Sequence, residues 1–284
     1  MKLSILLLAA FLRASLALAA LPSPQAIDQF LEDYFAKRPT QGFGKGLTME
    51  EALITQSNVV AGLSKQLGPP AGYKVGLSNR EVQQRYGVDS PVRGVLLRKM
   101  MLPSGAEVPA QCGARPVCEA DLIVTVKDEG VNRATTPLEA AQHLSAVVAF
   151  IELPDQLLAT NAPVDGPGLT AIDVGARLGV LGEHVKVLPT DDFVKALAEM
   201  RVTMTDQTGA VIGQGQGKAI LDNPLNAVLW LAQDLAKHGE RLRAGDLLSL
   251  GTIFKPPVPQ AGQTITVRYE GLPGGPIQVS VKFK

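Results

Sequence analysis

Apolar positions along the chain follow two rhythms, one helical and one strand-like. From residue 24 to about 67 they recur at helical intervals, with Ile27, Phe30, Leu31, Tyr34 and Phe35 first and Leu53, Val59, Val60 and Leu63 later. This spacing predicts an N-terminal helical section, interrupted between 37 and 46 by Pro39, Gly42 and Gly44. Beyond Gly68-Pro69-Pro70 the period shortens, and the runs at 73–77, 92–97 and 122–126 carry the β-branched bias of strands. Helical spacing returns from Pro137 to about Val148, on Ala140, Ala141, Leu144, Val147 and Val148, and passes directly into an apolar run at 149–154 that reads as a buried strand. The Pro- and Gly-rich stretch from Asp155 to Gly168 reads as a loop, and strand-like segments follow at 179–182, 198–205 and 210–214. Residues 224–238 carry the clearest helix signals: Asn223 to cap it, Pro224 for its first turn and Gly239 beyond its end. Apolar and polar residues then alternate at 265–269 and 277–281, as half-buried antiparallel strands require. Clustered helices and strands joined mostly by turns predict an α+β fold rather than a doubly wound sheet.

Composition adds few constraints but useful ones. With 284 residues, 46% hydrophobic and 19% charged, the chain is long enough to bury a sizeable core without disulfides or metals as staples. Lys+Arg and Asp+Glu balance at 27 each, which supplies no electrostatic footprint for nucleic acid or an anionic membrane. The N-terminus stands apart: Met1-Lys2, an apolar stretch from Leu3 to Leu12 and the small-residue ending Ala17-Leu18-Ala19-Ala20 read as a secretory signal peptide over residues 1–20. The alternative is an ordinary amphipathic helix, which Arg13 favours. Export predicts a periplasmic or secreted protein free of the membrane after signal removal, with a helical section at 21–70 and a catalytic domain at 71–284. An oxidising compartment lets Cys112 and Cys118, six positions apart, form a disulfide; two buried thiols are the alternative.

The candidate chemistry centres on Glu119-Ala120-Asp121, at the entry to the apolar run from Leu122. In a strand, residues two apart project from one face, so both carboxylates point one way. Two anions aimed at one point repel unless a cation lies between them. Glu152 sits in the apolar run 147–153, where an unpaired carboxylate is costly to bury. Three carboxylates without histidine are hard oxygen ligands that favour Mg²⁺ or Mn²⁺ over zinc and leave coordination positions for water and a chelating substrate. A plainer arrangement fits the same residues, with Glu119 and Asp121 at the solvent end of a strand and Glu152 paired with an arginine. Lys74, alone in its strand, likewise fits a snorkelling side chain, and Asp89 before Ser90-Pro91 fits a turn. The glycines at 213, 215 and 217 match neither dinucleotide nor P-loop spacing, and no G-x-S-x-G elbow is present.

Several segments in order carry a resemblance: Tyr73-Lys74-Val75-Gly76-Leu77-Ser78, Tyr86-Gly87-Val88-Asp89-Ser90-Pro91 with Gly94, Glu119-x-Asp121, Glu152, Gly213-x-Gly215-x-Gly217, Asn223-Pro224-Leu225-Asn226-Ala227-Val228-x-Trp230, and Leu242-x-Ala244-Gly245-Asp246. Together they resemble the 2-keto-4-pentenoate hydratases of the fumarylacetoacetate hydrolase superfamily. The resemblance implies a mixed, rolled β-sheet with peripheral helices in a homo-oligomer. It implies Glu119, Asp121 and Glu152 as ligands of Mg²⁺ or Mn²⁺, Lys74 and Asp89 as catalytic groups, and Ser78, Asp173 and Thr252 in contact with substrate. Asp121 stands where these hydratases usually carry Glu, and Asp173-Val174-Gly175-Ala176 stands where they tend to show Asp-Asn-Ala-Ser. The implied activity is a metal-dependent lyase that hydrates a small 2-hydroxydienoic or 2-oxo acid. A related decarboxylase, a C–C hydrolase, or an exported binding protein of the same fold are the alternatives.

Overall fold

The computed structural model describes residues 21–284, so the expected signal peptide lies outside the described residues. The chain runs through α1 (Pro24–Phe35), α2 (Met49–Leu67), β1 (Pro70–Gly76), α3 (Arg80–Arg85), β2 (Val92–Leu97), β3 (Met101–Pro103), β4 (Ala106–Val108), β5 (Glu119–Val126), α4 (Pro137–Gln142), β6 (Leu144–Leu153), α5 (Gly166–Ala171), β7 (Leu178–Lys186), α6 (Asp191–Glu199), β8 (Arg201–Thr205), β9 (Val211–Gln216), α7 (Pro224–Lys237), β10 (Leu247–Ser249), β11 (Thr264–Glu270) and β12 (Ile277–Phe283). Helices and strands both occur in quantity, and the α+β expectation holds.

Local chemistry explains the main helix boundaries. Ser23 caps α1 ahead of Pro24, and Thr48 with Glu51 closes a reciprocal capping box on α2, which Gly68 ends at φ 80°. Asn223 caps α7 as expected. One boundary differs from expectation. The helix predicted to reach Val148 ends at Gln142, and Leu144 already opens β6. Val147 is fully buried on that strand, because its β-branched neighbourhood pairs with β5 instead of continuing the helix. The stretch expected to be a loop up to 168 also contains the start of α5, capped by Asp165.

Two sheets organise the molecule. A seven-stranded mixed sheet runs in the order β2-β1-β10-β5-β6-β7-β3, and a five-stranded one runs β4-β12-β11-β8-β9. In the first, β1 pairs parallel with β10 and β3 parallel with β7, while the other neighbours are antiparallel. One large apolar cluster joins both sheets with α6 and α7, including Phe193, Leu231, Tyr269 and Val279. A second, built on Phe30, Tyr34, Val59 and Leu63, seats α1 and α2 against Leu97, Met100 and Ile172. Among the described residues no helix is long and apolar enough to cross a membrane.

Candidate metal centre and active site

The first sheet brings the three acids together through register. Glu119 and Asp121 lie two apart on β5, and Glu119 stands directly opposite Glu152 on β6. The three offer oxygen atoms that all lie within 4.8 Å of one another. Lys74 sits on β1, three strands from β6 in the order β1-β10-β5-β6. A flat sheet would separate those strands by roughly 14 Å at ordinary strand spacing. Yet Lys74 Nζ lies 2.5 Å from Glu152 Oε1, so the sheet curls around the acids.

Each side chain is held from behind. Asp121 is fully buried; its Oδ1 accepts from the backbone N–H groups of Leu122, Leu250 and Gly251, and its Oδ2 from the Ser249 hydroxyl. The Tyr269 hydroxyl lies within hydrogen-bond reach of the Asp121 and Phe150 carbonyls and ties this part of β5 to β6. Lys74 also donates to the Val174 carbonyl at 3.2 Å. Gly94 makes room for this packing: a Cβ there would lie 2.9 Å from both the Asp173 carbonyl oxygen and Lys74 Cγ. Asp173 and Val174 adopt left-handed backbone angles, φ 58° and 52°, which a β-branched valine rarely takes. Val95 N–H donates to Asp173 Oδ1 at 2.7 Å.

Burial sets the electrostatics. It pushes the Glu119 carboxyl up to about 8 and that of Asp121 up to about 7, in both cases with help from the Glu152 charge. Hydrogen bonds from Ser249, Leu122 and Gly251 oppose the rise at Asp121. Burial likewise lifts Asp173 to about 8 against the Val95 hydrogen bond and the nearby Lys74 charge. At Lys74 burial works against the ammonium, but the carboxylates of Glu152 and Glu119 outweigh it and raise its pKa, so the side chain stays charged. One ammonium among three converging carboxylates leaves the cluster short of positive charge. Among the described residues, Asp173 Oδ2 is a buried side-chain oxygen with no hydrogen-bond partner, and Glu152 Oε1 has only the Lys74 ammonium against it. An all-oxygen donor set of three converging carboxylates with a single ammonium beside it fits Mg²⁺ or Mn²⁺.

The other expected site residues are placed unequally. Ser78 is buried just beyond β1, and a Cβ on Gly251 would lie 2.5 Å from its hydroxyl. Gly251 thus bridges Ser78 to Asp121, to which its own N–H donates. Thr252 follows, half-buried, with its hydroxyl donating to the Phe254 carbonyl. Asp89 is exposed in the bend before β2 and takes no part in the hydrogen bonds or ion pairs of the lysine–carboxylate cluster. The expected Cys112–Cys118 disulfide is corrected: both are free, buried thiols. The loop between them is shaped by Asp155, whose carboxylate accepts from the N–H groups of Ala114 and Arg115, and both cysteines pack in the apolar core. Burial raises both thiol pKa values, which keeps them protonated. Sequence reasoning did not single out Ser249; a small polar residue at the end of an apolar three-residue strand was its only signal.

Fold and site together define a class: a curled mixed sheet that gathers three carboxylates for a divalent cation beside a buried lysine. No protein-family model matches the chain. It is 32% identical over 219 residues to the TodF product hydratase of Pseudomonas putida, covering 77% of each chain. It is 29% identical over 201 residues to a 2-keto-4-pentenoate hydratase of Burkholderia vietnamiensis, covering 71% of this chain and 74% of that one. Its structure is similar to that of 4-oxalocrotonate decarboxylase from Pseudomonas putida G7, solved with magnesium and adipate, with a TM-score of 0.78, 25% identity, and coverage of 92% and 96% of the two chains. The chain belongs to the 2-keto-4-pentenoate hydratase family.

Proposed function

We propose that the protein is a divalent-metal-dependent hydratase acting on a small 2-hydroxydienoic acid, the 2-oxo acid form being its tautomer. The observation that carries this reading is the convergence of Glu119, Asp121 and Glu152 beside the Lys74 ammonium. Glu119, Asp121 and Glu152 would hold Mg²⁺ or Mn²⁺, which when bound supplies Lewis-acid charge to chelate a 2-oxo acid and to stabilise negative charge developing on its 2-oxo oxygen. Lys74, held between Glu152 and the Val174 carbonyl, places a second positive charge next to that oxygen and carries a proton on Nζ. Asp173 retains a proton near neutral pH and has Oδ2 free, so it is the better placed of the two aspartates to manage the proton that moves on tautomerisation. Asp89, expected in that role, would have to reach the site from an exposed bend. Ser78 and Thr252, on either side of Gly251, would position the substrate carboxylate.

Incubation with 2-hydroxypenta-2,4-dienoate and Mg²⁺ or Mn²⁺, followed by loss of the dienol absorbance, tests this reading. Turnover that chelation abolishes and added metal restores is expected. Glu119→Ala should lose metal affinity and turnover together, and a metal-free Glu119→Ala protein as active as the parent would overturn the reading. The likeness to 4-oxalocrotonate decarboxylase over 92% of the chain favours a second reading, loss of CO₂ from a related 2-oxo diacid. Release of CO₂ from 2-oxohex-3-enedioate without consumption of the dienol would support it instead.

A further inference from the structure

Three other stretches of chain meet on one guanidinium just after the Asp173–Gly175 turn. Arg177 is buried, and each of its three nitrogens has a protein acceptor. Nε donates to Asp155 Oδ2 at 2.9 Å, Nη1 to the Cys112 carbonyl at 3.2 Å and Nη2 to the Tyr34 carbonyl at 2.8 Å. Its plane lies over the Tyr34 ring, 4.0 Å from the centroid. Asp155, three residues beyond Glu152, is buried as well. It takes the N–H groups of Ala114 and Arg115 on its carboxylate and donates its own N–H to the Gly175 carbonyl at 2.9 Å. Tyr34 completes the arrangement by donating its hydroxyl to the Ala176 carbonyl at 3.0 Å.

Through Asp155 and Tyr34 this arrangement grips the end of the turn at Asp173–Gly175, at the Gly175 and Ala176 carbonyls, and within that turn Asp173 and Val174 hold left-handed angles. Such a conformation persists only where the surroundings over-determine it. Within the turn, Ala176 N–H donates to the Asp173 carbonyl and Gly175 N–H to that of Ile172, which leaves its placement against β1 and β2 to contacts from outside. We propose that Arg177 is a positioning residue for the reaction: with Asp155 and Tyr34 it fixes the turn that presents the Val174 carbonyl to Lys74 and sets the free Asp173 Oδ2 beside it. The inference rests on the functional reading above. Arg177 touches none of the three candidate metal ligands in its hydrogen bonds, so its effect on turnover is separable from metal binding.

The test uses the full-length protein with Mn²⁺ as the probe. Lysine cannot reproduce a three-acceptor fork, so Arg177→Lys should lower kcat by about tenfold or more while KM and the Mn²⁺ Kd stay within about threefold. In hydrogen exchange, the peptide spanning 172–177 should exchange faster than in the parent, with β5 and β6 unchanged. The double variant Asp155→Asn/Arg177→Met removes both charges and avoids a lone buried carboxylate. Tyr34→Phe deletes only the hydroxyl contact and should move kcat and exchange in the same direction by less. Thermal melts identify the variants that fold, and the mild Tyr34→Phe keeps the inference testable if the others do not. A folded Arg177→Lys protein with parental kcat, unchanged exchange at 172–177, or Mn²⁺ affinity falling in step with kcat would each overturn the inference. A parent with no turnover defeats the functional reading and this inference with it; an active parent matched by Arg177→Lys defeats this inference alone.

Discussion

At Asp121 the chain carries a carboxylate one methylene shorter than its neighbours in the trio, and the structure compensates by fixing it rigidly. Three backbone N–H groups saturate Oδ1, so the side chain has one orientation, and Oδ2 is left with the Ser249 hydroxyl and free lone pairs. Ser249 thus orients a ligand without being one. Ser249→Ala is expected to weaken Mn²⁺ binding by about tenfold, as loss of an outer partner of a metal ligand does. The associated stability loss should be about 1 kcal/mol. Calorimetric titration and urea melts check the two effects, and unchanged Mn²⁺ affinity would mean that the backbone donors alone hold Asp121. The acids themselves were legible in the sequence, because carboxylates two apart at the mouth of an apolar strand have few inexpensive arrangements. Ser249 and Arg177 were not. Their roles depend on which distant residues the fold sets beside them, and neither type is unusual in its own segment.

Among the elements, those whose ends carry their own chemistry were the most legible. Asn223, Pro224 and Gly239 bounded α7 to within a residue. The run from 137 to 148 misled, because Ala140, Ala141, Leu144 and Val147 satisfy a helical stripe while Leu144 onward also satisfies a strand that is buried on both faces from Ala149. Pairing with β5 on one side and β7 on the other decided it, and that pairing is what puts Glu152 opposite Glu119. The six-residue helices α3 and α5 escaped notice because they are shorter than the window in which a helical period can be seen. Helix α2 lies further from the chemistry and offers a control. Thr48 donates to and is paired with Glu51 in its capping box, so Thr48→Ala should destabilise the protein by about 1 kcal/mol. Turnover per folded molecule should not change, since α2 contributes none of the acids or Lys74. A lower kcat at full folding, measured beside a denaturant melt, would show that the helical section steers the site.

For the molecule as a whole, the acid cluster ties stability to pH and to metal. Glu119 and Asp173, each raised to about 8, and Asp121, raised to about 7, all titrate well above ordinary carboxyls. The folded chain therefore holds more protons on these groups than the unfolded chain between about pH 4 and 8, and the metal-free protein must lose stability from them as pH rises through that window. Metal binding has the opposite dependence. It requires ionised carboxylates, so protons compete with it in acid and its affinity grows towards pH 8. Mg²⁺ at a hundred times its Kd adds about 2.7 kcal/mol, and that increment should shrink as the solution is acidified. Thermal melts with and without millimolar Mg²⁺ are expected to show a small shift at about pH 5.5 and a larger one at about pH 8. Other groups titrate over the same range, so the comparison that isolates the cluster is the parent against Glu119→Gln. Removing one ionisable ligand should make the metal-free protein less sensitive to alkali and reduce the Mg²⁺ shift at both pH values. If instead the Mg²⁺ shift is the same at the two pH values in the parent, the three carboxylates do not discharge their protons to a shared ion, and the curled sheet gathers them for some other purpose.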